Sequence, residues 1–301
     1  GVNILYRIQQ DENGELSTLE ETLNEAAAAL LDAREKRTRP HYDDKVLTDW
    51  NGMMIAALAD ASRIFQEPDW LTAARSAFEF ILSNSVRDSK GTLYHSWREG
   101  KQAHSGLADD YAWMIRAALS LYEVTGEAGY LDHARKWADI LDNNFWDSEN
   151  YGYFLSGPQA TDLVVRPKTI ADTATPSANG IMLGNLARLA AHDPAEARWA
   201  DRAQKQIQAF AGELESNIYG LFSYFTGLDT FRKMRHIEIS GPESETESEE
   251  IRSYLRHKSR PDLIWLDRFE ETGSTGQEIK YCSGGSCQNI EKDPEKIKSH
   301  I

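Results

Sequence analysis

The amino-acid sequence predicts an all-α-dominated fold of repeated helical hairpins, followed by a small α/β appendage. Three observations predict it. First, NGMMIAALADAS (51–62), YAWMIRAALSLY (111–122) and NGIMLGNLARLA (179–190) align without gaps, so that Gly52, Ala112 and Gly180 correspond, as do Met54, Met114 and Met182. Each segment is apolar nearly all round, as a helix buried on most of its surface must be. Second, an amphipathic segment follows each one, at 70–85, 130–145 and 198–214. Third, the residues after 234 lose the helical period and read as short strands around one helix.

The elements follow in order. An amphipathic helix is expected at about 18–36. The first inner helix has Thr48 as its expected cap, the second has Asp109 at its start and Gly126 at its end, and the third has Thr175 with Pro176 in its first turn. In the second outer helix, Leu131, Ala134, Trp137, Ala138 and Leu141 form one stripe, and Asp132, Arg135, Lys136 and Asp139 face water. Helical repeats of this size stack to share one core. Two long connections separate the hairpins, RDSKGTLYHSWREGKQAHSGLADD and SENYGYFLSGPQATDLVVRPKTIADTATPSAN. Each opens on a glycine–aromatic alternation that suggests a β-hairpin, and loops this long are usually functional or disordered. Their aromatic content favours function. A further helix is expected at about 217–233. In the appendage, 235–241 reads as a strand, ESEEIRSYLRHKS as a helix, DLIWLDRF as a strand and GSTGQEIKYCSGGSCQ as a polar run. This organisation predicts two domains, 1–234 and 235–301.

Composition narrows the partners. The net charge of −15 argues against nucleic acid and anionic membranes, which both need a basic footprint. No run approaches 18 apolar residues, so no membrane span is expected. The start, GVNILYRIQQDENGE, is neither a secretory signal nor an initiator methionine, and reads like the interior of a longer chain. Two cysteines in 301 residues suggest a reducing, cytoplasmic setting. There is no phosphate-binding glycine loop, HExxH, GxSxG or metal-spaced cysteine set, so no cofactor and no metal are expected. Cys282 and Cys287 are four residues apart, too wide for the usual redox motif, and on their own read as two unrelated thiols.

The stretches RTRPHYDDKVLTDWNGMMIAALA, GLADDYAWMIRAALSLYEVTG and RPKTIADTATPSANG, with GVNILYR before them and YCSGGSC after, resemble the spermatogenesis-associated protein 20 family, whose bacterial members are called YyaL-like. The resemblance covers nearly the whole chain in order. It implies a thioredoxin-like domain followed by an (α/α)6 toroid of the six-hairpin glycosidase type. This chain has no CxxC and supplies about eight of the twelve helices of a full toroid, so it resembles the C-terminal portion. The truncated edge would favour self-association. The resemblance also implies a redox or structural pairing of Cys282 with Cys287.

In a toroid the inner helices point the same way and their N-termini share one mouth. Each inner helix here is preceded by a polar cluster. The first holds Asp43, Asp44, Lys45, Asp49, Trp50 and Asn51; the second His104, Asp109, Asp110 and Tyr111; the third Arg166, Lys168, Asp172, Ser177 and Asn179. Taken singly, such aspartates are helix caps and dipole partners. Taken together, they suggest a cleft for a saccharide-like ligand. Trp50 and Tyr111 would offer flat faces, and Asn51, His104, Arg166, Lys168 and Asn179 would bond hydroxyls. Hydrolysis needs two carboxyls, roughly 6.5–9.5 Å apart in inverting enzymes. Asp44 and Asp110 are the first candidate pair, with Asp172 in reserve. A sugar epimerase would instead need histidine bases, for which His95 and His104 are available. A non-catalytic scaffold serving a thioredoxin-like domain is the competing reading.

Overall fold

The computed structural model describes residues 17–161, 163–216, 218–240, 246–257, 263–268, 278–283 and 286–290. The chain divides into two units, Gly1–Asp44 and Lys45–Ile301. The first unit contains α1 (Ser17–Glu35), an alanine- and glutamate-rich helix whose Leu23, Leu30 and Leu31 are exposed.

The second unit opens with the short strand β1 (Val46–Leu47), which runs directly into α2 (Thr48–Phe65). Gln66 turns the chain in the left-handed region, at φ 58°, and Pro68 begins α3 (Pro68–Asn84). A hairpin follows, β2 (Tyr94–Arg98) and β3 (Lys101–Ser105), and β1 pairs antiparallel with β2. Then come α4 (Ala108–Thr125) and α5 (Ala128–Asn144), hinged on Gly126 at φ 72°. The pair α6 (Ala178–His192) and α7 (Arg198–Ser216) is followed by α8 (Phe222–Lys233). The all-α-dominated architecture of toroid-type hairpins is therefore present, and the expected helices lie within a few residues of their predicted bounds. The fourth, α8, starts later than expected, at Phe222.

The inner helices α2, α4, α6 and α8 lie side by side and parallel. At their N-terminal ends the Asp49 N–H donates to Asp110 at 3.0 Å, and the Ser223 N–H donates to Asp172 at 2.9 Å. At their C-terminal ends Glu123 of α4 is bonded by Arg188 at 2.7 Å and lies 3.2 Å from His192, both on α6. The equivalent small residues of the repeat mark where the helices touch. A Cβ on Gly52 would lie 2.8 Å from the Trp113 carbonyl carbon, and one on Gly180 would lie 2.0 Å from the Ser223 hydroxyl. The amide of Asn185 donates to the Ala112 carbonyl at 2.7 Å, tying α6 to the matching position of α4. The outer helices α3, α5 and α7 cover this layer with Phe78, Trp137, Leu141, Trp199 and Phe210.

Three expected caps are corrected. Thr48 lies inside α2, and its hydroxyl donates to the Tyr94 carbonyl at 2.7 Å. The N-cap position of α4 is Leu107, whose N–H is taken by Asp110 rather than Asp109, at 2.7 Å. The cap of α6 is Ser177, accepting from the Gly180 N–H at 3.2 Å, so Thr175 and Pro176 stand outside the helix. The first long connection forms its hairpin, but the second shows only a bridge between Trp146 and Tyr153 among the described residues.

After α8 come β4 (Arg235–Ser240), α9 (Thr246–Arg256), β5 (Leu263–Arg268), β6 (Glu278–Ser283) and β7 (Ser286–Ile290), in a sheet ordered β5-β4-β6-β7. The expected polar run contains two strands, β6 and β7, which pair antiparallel; its residues 273–277 and 284–285 lie outside the described residues. Ile237, Ile239, Ile251, Leu255 and Trp265 form the small core of the sheet. Arg63 of α2 donates to the Trp265 carbonyl at 2.7 Å, joining this sheet to the helical layer. Cys282 is disulfide-bonded, and Cys287 is its register partner across β6 and β7.

Candidate functional site

The parallel helices bring the starts of α2, α4, α6 and α8 to one end. Asp110 is its fixed point. It is fully buried, and its two oxygens accept from the N–H groups of Asp49 and Leu107. Both also lie 3.1 Å from Nδ1 of His95, which β2 carries across. One carboxylate thus holds two helix starts and a hairpin together. The contact with Asp110 raises the pKa of His95 against the opposing effect of burial, and the charges of Asp110, Asp49 and Asp109 add to the rise. His95 Nε2 makes no hydrogen bond among the described residues, and a quarter of the side chain, 26%, is exposed.

Two further carboxyls flank this pair. Asp49 is 8% exposed and accepts from the Trp50 N–H at 2.8 Å. Burial raises its pKa, and the neighbouring Asp110 charge adds to the shift. Asp109 is half-buried. Burial first, then the charges of Asp110 and Asp49, raise its pKa to about 6, against a counteracting hydrogen bond from the Ala178 backbone. A carboxyl in that range can both hold and release a proton near neutrality. Asp49, His95 and Asp110 each bring one ligand atom within 4.8 Å of the others, a spacing compatible with a cation. The Asp110 oxygens and His95 Nδ1 are already joined to one another and to two backbone donors, so the trio is read as a hydrogen-bonded unit.

The predicted residues take different places. Asp110, Asp172 and Asn179 are structural ties. Asp172 accepts from the N–H groups of Ser177 and Ser223, both at 2.9 Å, and from the Ser223 hydroxyl. Asn179 is buried, accepts from the Tyr153 N–H and donates to the Tyr153 and Thr169 carbonyls. Tyr111 belongs with them as a core residue and not an open face. It is 2% exposed, and its hydroxyl accepts from the Leu93 N–H at 3.0 Å. Arg166 and Lys168 brace the second long loop. Arg166 donates to the Ser156 and Asn144 carbonyls, and Lys168 pairs with Asp147 at 2.7 Å. Asn51 donates to the Leu47 carbonyl. Trp50 is exposed at the first turn of α2, and His104 is exposed on β3. Asp44 lies exposed in the first unit; in the second, the carboxyls that meet beside His95 are Asp49, Asp109 and Asp110.

Sequence reasoning underrated three residues. Asp49 and Asp109 looked like caps, because the pattern that precedes a helix is the same for a cap and an acid. The signal against a cap is the doubled aspartate Asp109–Asp110, of which one oxygen pair suffices for the helix start. His95 carried no local signal, since Asp110 lies 15 residues away and only the β2–β3 hairpin joins them.

Comparison with known proteins agrees with this architecture. The model of glycosyl hydrolase family 9 matches residues 21–224. Spermatogenesis-associated protein 20 of Rattus norvegicus is 34% identical over 184 residues, which are 58% of this chain and 23% of the relative. An uncharacterized protein of Caenorhabditis elegans is 30% identical over 309 residues, covering 94% of this chain and 40% of that protein. The chain thus spans well under half the length of these relatives. Among solved structures, the GH76 α-mannanase of Bacteroides thetaiotaomicron superposes with a TM-score of 0.50 at 19% identity, covering 70% of this chain and 63% of that one. At that identity the likeness is one of fold. The resemblance to the spermatogenesis-associated protein 20 family read from the sequence is borne out by these relatives.

Proposed function

Because the chain belongs to glycosyl hydrolase family 9 and has spermatogenesis-associated protein 20 among its relatives, we propose that the mouth formed by α2, α4 and α6 binds a sugar and performs acid–base chemistry on it. One observation carries the proposal. Asp49, Asp109, Asp110 and His95 converge at the N-terminal ends of two parallel inner helices, where burial and mutual repulsion keep carboxyls ready to hold a proton. Asp110 orients, Asp109 carries the exchangeable proton, and Asp49 or His95 Nε2 supplies the base. Such a set serves glycoside hydrolysis, in which an acid protonates the leaving oxygen while a second group activates water. It serves sugar epimerisation equally, in which one group removes a proton from carbon and a second returns a proton to the opposite face of that carbon. Trp50, exposed beside Asp49, offers a face to a pyranose ring.

The test is turnover of a panel of oligosaccharides and reducing sugars, followed by chromatography for cleavage and by proton NMR for epimers. Activity is expected in the wild-type chain, with loss of at least about a hundredfold in Asp109→Asn, the usual range for an acid–base group. Undiminished turnover in that variant would remove Asp109 from the reaction.

A second reading has its own support. Asp110, Asp172 and Asn179 spend their polar atoms on backbone groups, as a non-catalytic helical scaffold would require. Saccharide binding without turnover, or neither, would favour that scaffold.

A further inference from the structure

The C-terminal ends of the same helices border a hollow. At the end of the helical layer away from the helix starts, residues of α2, α3, α4, α9 and β5 line an open hollow of about 340 Å³. Arg63, Arg252 and Arg256 line it, against a single lining carboxylate, Glu249. Arg252 and Arg256 stand one turn apart on α9 and therefore share a face. Arg252 is 6% exposed and the Arg256 side chain 12%, so both guanidinium groups are held within the fold. Glu249 pairs with Arg256, but its own side chain is 56% exposed and stands at the rim.

Arg63 is fixed in place. It donates to the carbonyls of Glu123 at 3.1 Å and Trp265 at 2.7 Å, and its guanidinium stacks 4.2 Å from the Trp265 ring. These bonds meet the negative carbonyl end of α4, which would otherwise repel an anion. Three guanidinium groups therefore line one open hollow, against one lining carboxylate, in a chain whose net charge is −15. Guanidinium forks match the oxygens of phosphate and carboxylate, and a pocket of this volume lies at the lower end of those that take small ligands. Leu71, Val124 and the Trp265 ring form the apolar part of the wall.

We infer that this hollow binds a small organic dianion, a phosphate ester or a dicarboxylate. The arginines grip the anionic group, and Trp265, Leu71 and Val124 take the carbon body. The site is separate from the mouth, and its occupancy would tie α9 and the sheet to the ends of α2 and α4.

Calorimetric titration of the whole chain at low ionic strength tests this. Glucose 6-phosphate and succinate are the two dianions, with inorganic phosphate and neutral glucose as references. Saturable binding is expected for at least one organic dianion, stronger than for inorganic phosphate and absent for glucose. The stronger of the two identifies the source of the anionic group. Arg256→Gln and Gln66→Glu should each weaken it about tenfold or more. Gln66 is exposed and already left-handed, so its glutamate variant keeps the fold should Arg256→Gln unfold. No saturable dianion binding, equal binding of glucose or inorganic phosphate, or undiminished affinity in Gln66→Glu would overturn the inference.

Discussion

Asp109 shows how a single residue can weaken the fold that holds it. Its pKa stands at about 6 in the folded chain, above the ordinary carboxylate value of about 3.9. Between those values the folded state binds more protons than the unfolded chain, so stability falls as pH rises through the window. Asp109→Asn keeps an oxygen for the Ala178 N–H and removes the repulsion from Asp110 and Asp49. It should stabilise the chain by about 1–2 kcal/mol at pH 8, after allowance for its partial exposure, and by nothing below about pH 4. Melting curves across that range check this, and equal melting temperatures at pH 8 would contradict it. Replacing Asp110 should instead destabilise the chain. An amide there faces one of two backbone donors with its own N–H₂ group, so Asp110→Asn should cost about 1–3 kcal/mol. The imidazole of His95, raised by its contact with Asp110, contributes stability that is present below about pH 6.5 and is lost as pH rises through the folded pKa. In Asp110→Asn the His95 titration followed by NMR should move to lower pH. An unmoved titration would separate the two residues.

Between elements, the repeat places small residues where helices meet. Gly52 faces the backbone of Trp113, and Gly180 faces Ser223, which in turn bonds Asp172. An added methyl must push apart two packed helices. Gly52→Ala and Gly180→Ala should each cost about 1–3 kcal/mol through overpacking. Gly212 in α7 is the control, because nothing lies within 4 Å of its added Cβ. Gly212→Ala should stabilise by roughly 0.5–1 kcal/mol, the ordinary benefit of alanine over glycine in a helix. Thermal melts of the three variants decide the matter. A Gly180→Ala chain as stable as wild type would mean that α6 and α8 can separate at no cost.

Across the whole molecule, what was legible in the sequence followed from periodicity. The inner helices are apolar on nearly every side and the outer ones on one, so both showed in a single strand of text. The antiparallel pair β6 and β7 did not. Its polar residues hid the alternation. The site was half legible. Its location at the helix starts came from the recurring clusters, but which oxygen served a cap and which stood spare depends on contacts across 15 to 61 residues. The same periodicity also exposes an imbalance. α4 and α6 are buried nearly all round, whereas α2 keeps Trp50, Met54, Ile64 and Phe65 exposed on one face, spaced as a single helical stripe. Covering a side chain of this size is worth about 1.5–3 kcal/mol, enough for a few of them to drive weak association. The net charge of −15 opposes it, and that repulsion fades once the Debye length shrinks to about 10 Å at 0.1 M salt. Sedimentation should therefore find a monomer at low salt and concentration-dependent association at high salt. Met54→Glu places a charge in the middle of the stripe without touching the buried face. It should abolish the association and leave the melting temperature unchanged, whereas association that persists in Met54→Glu would assign the contact to another surface.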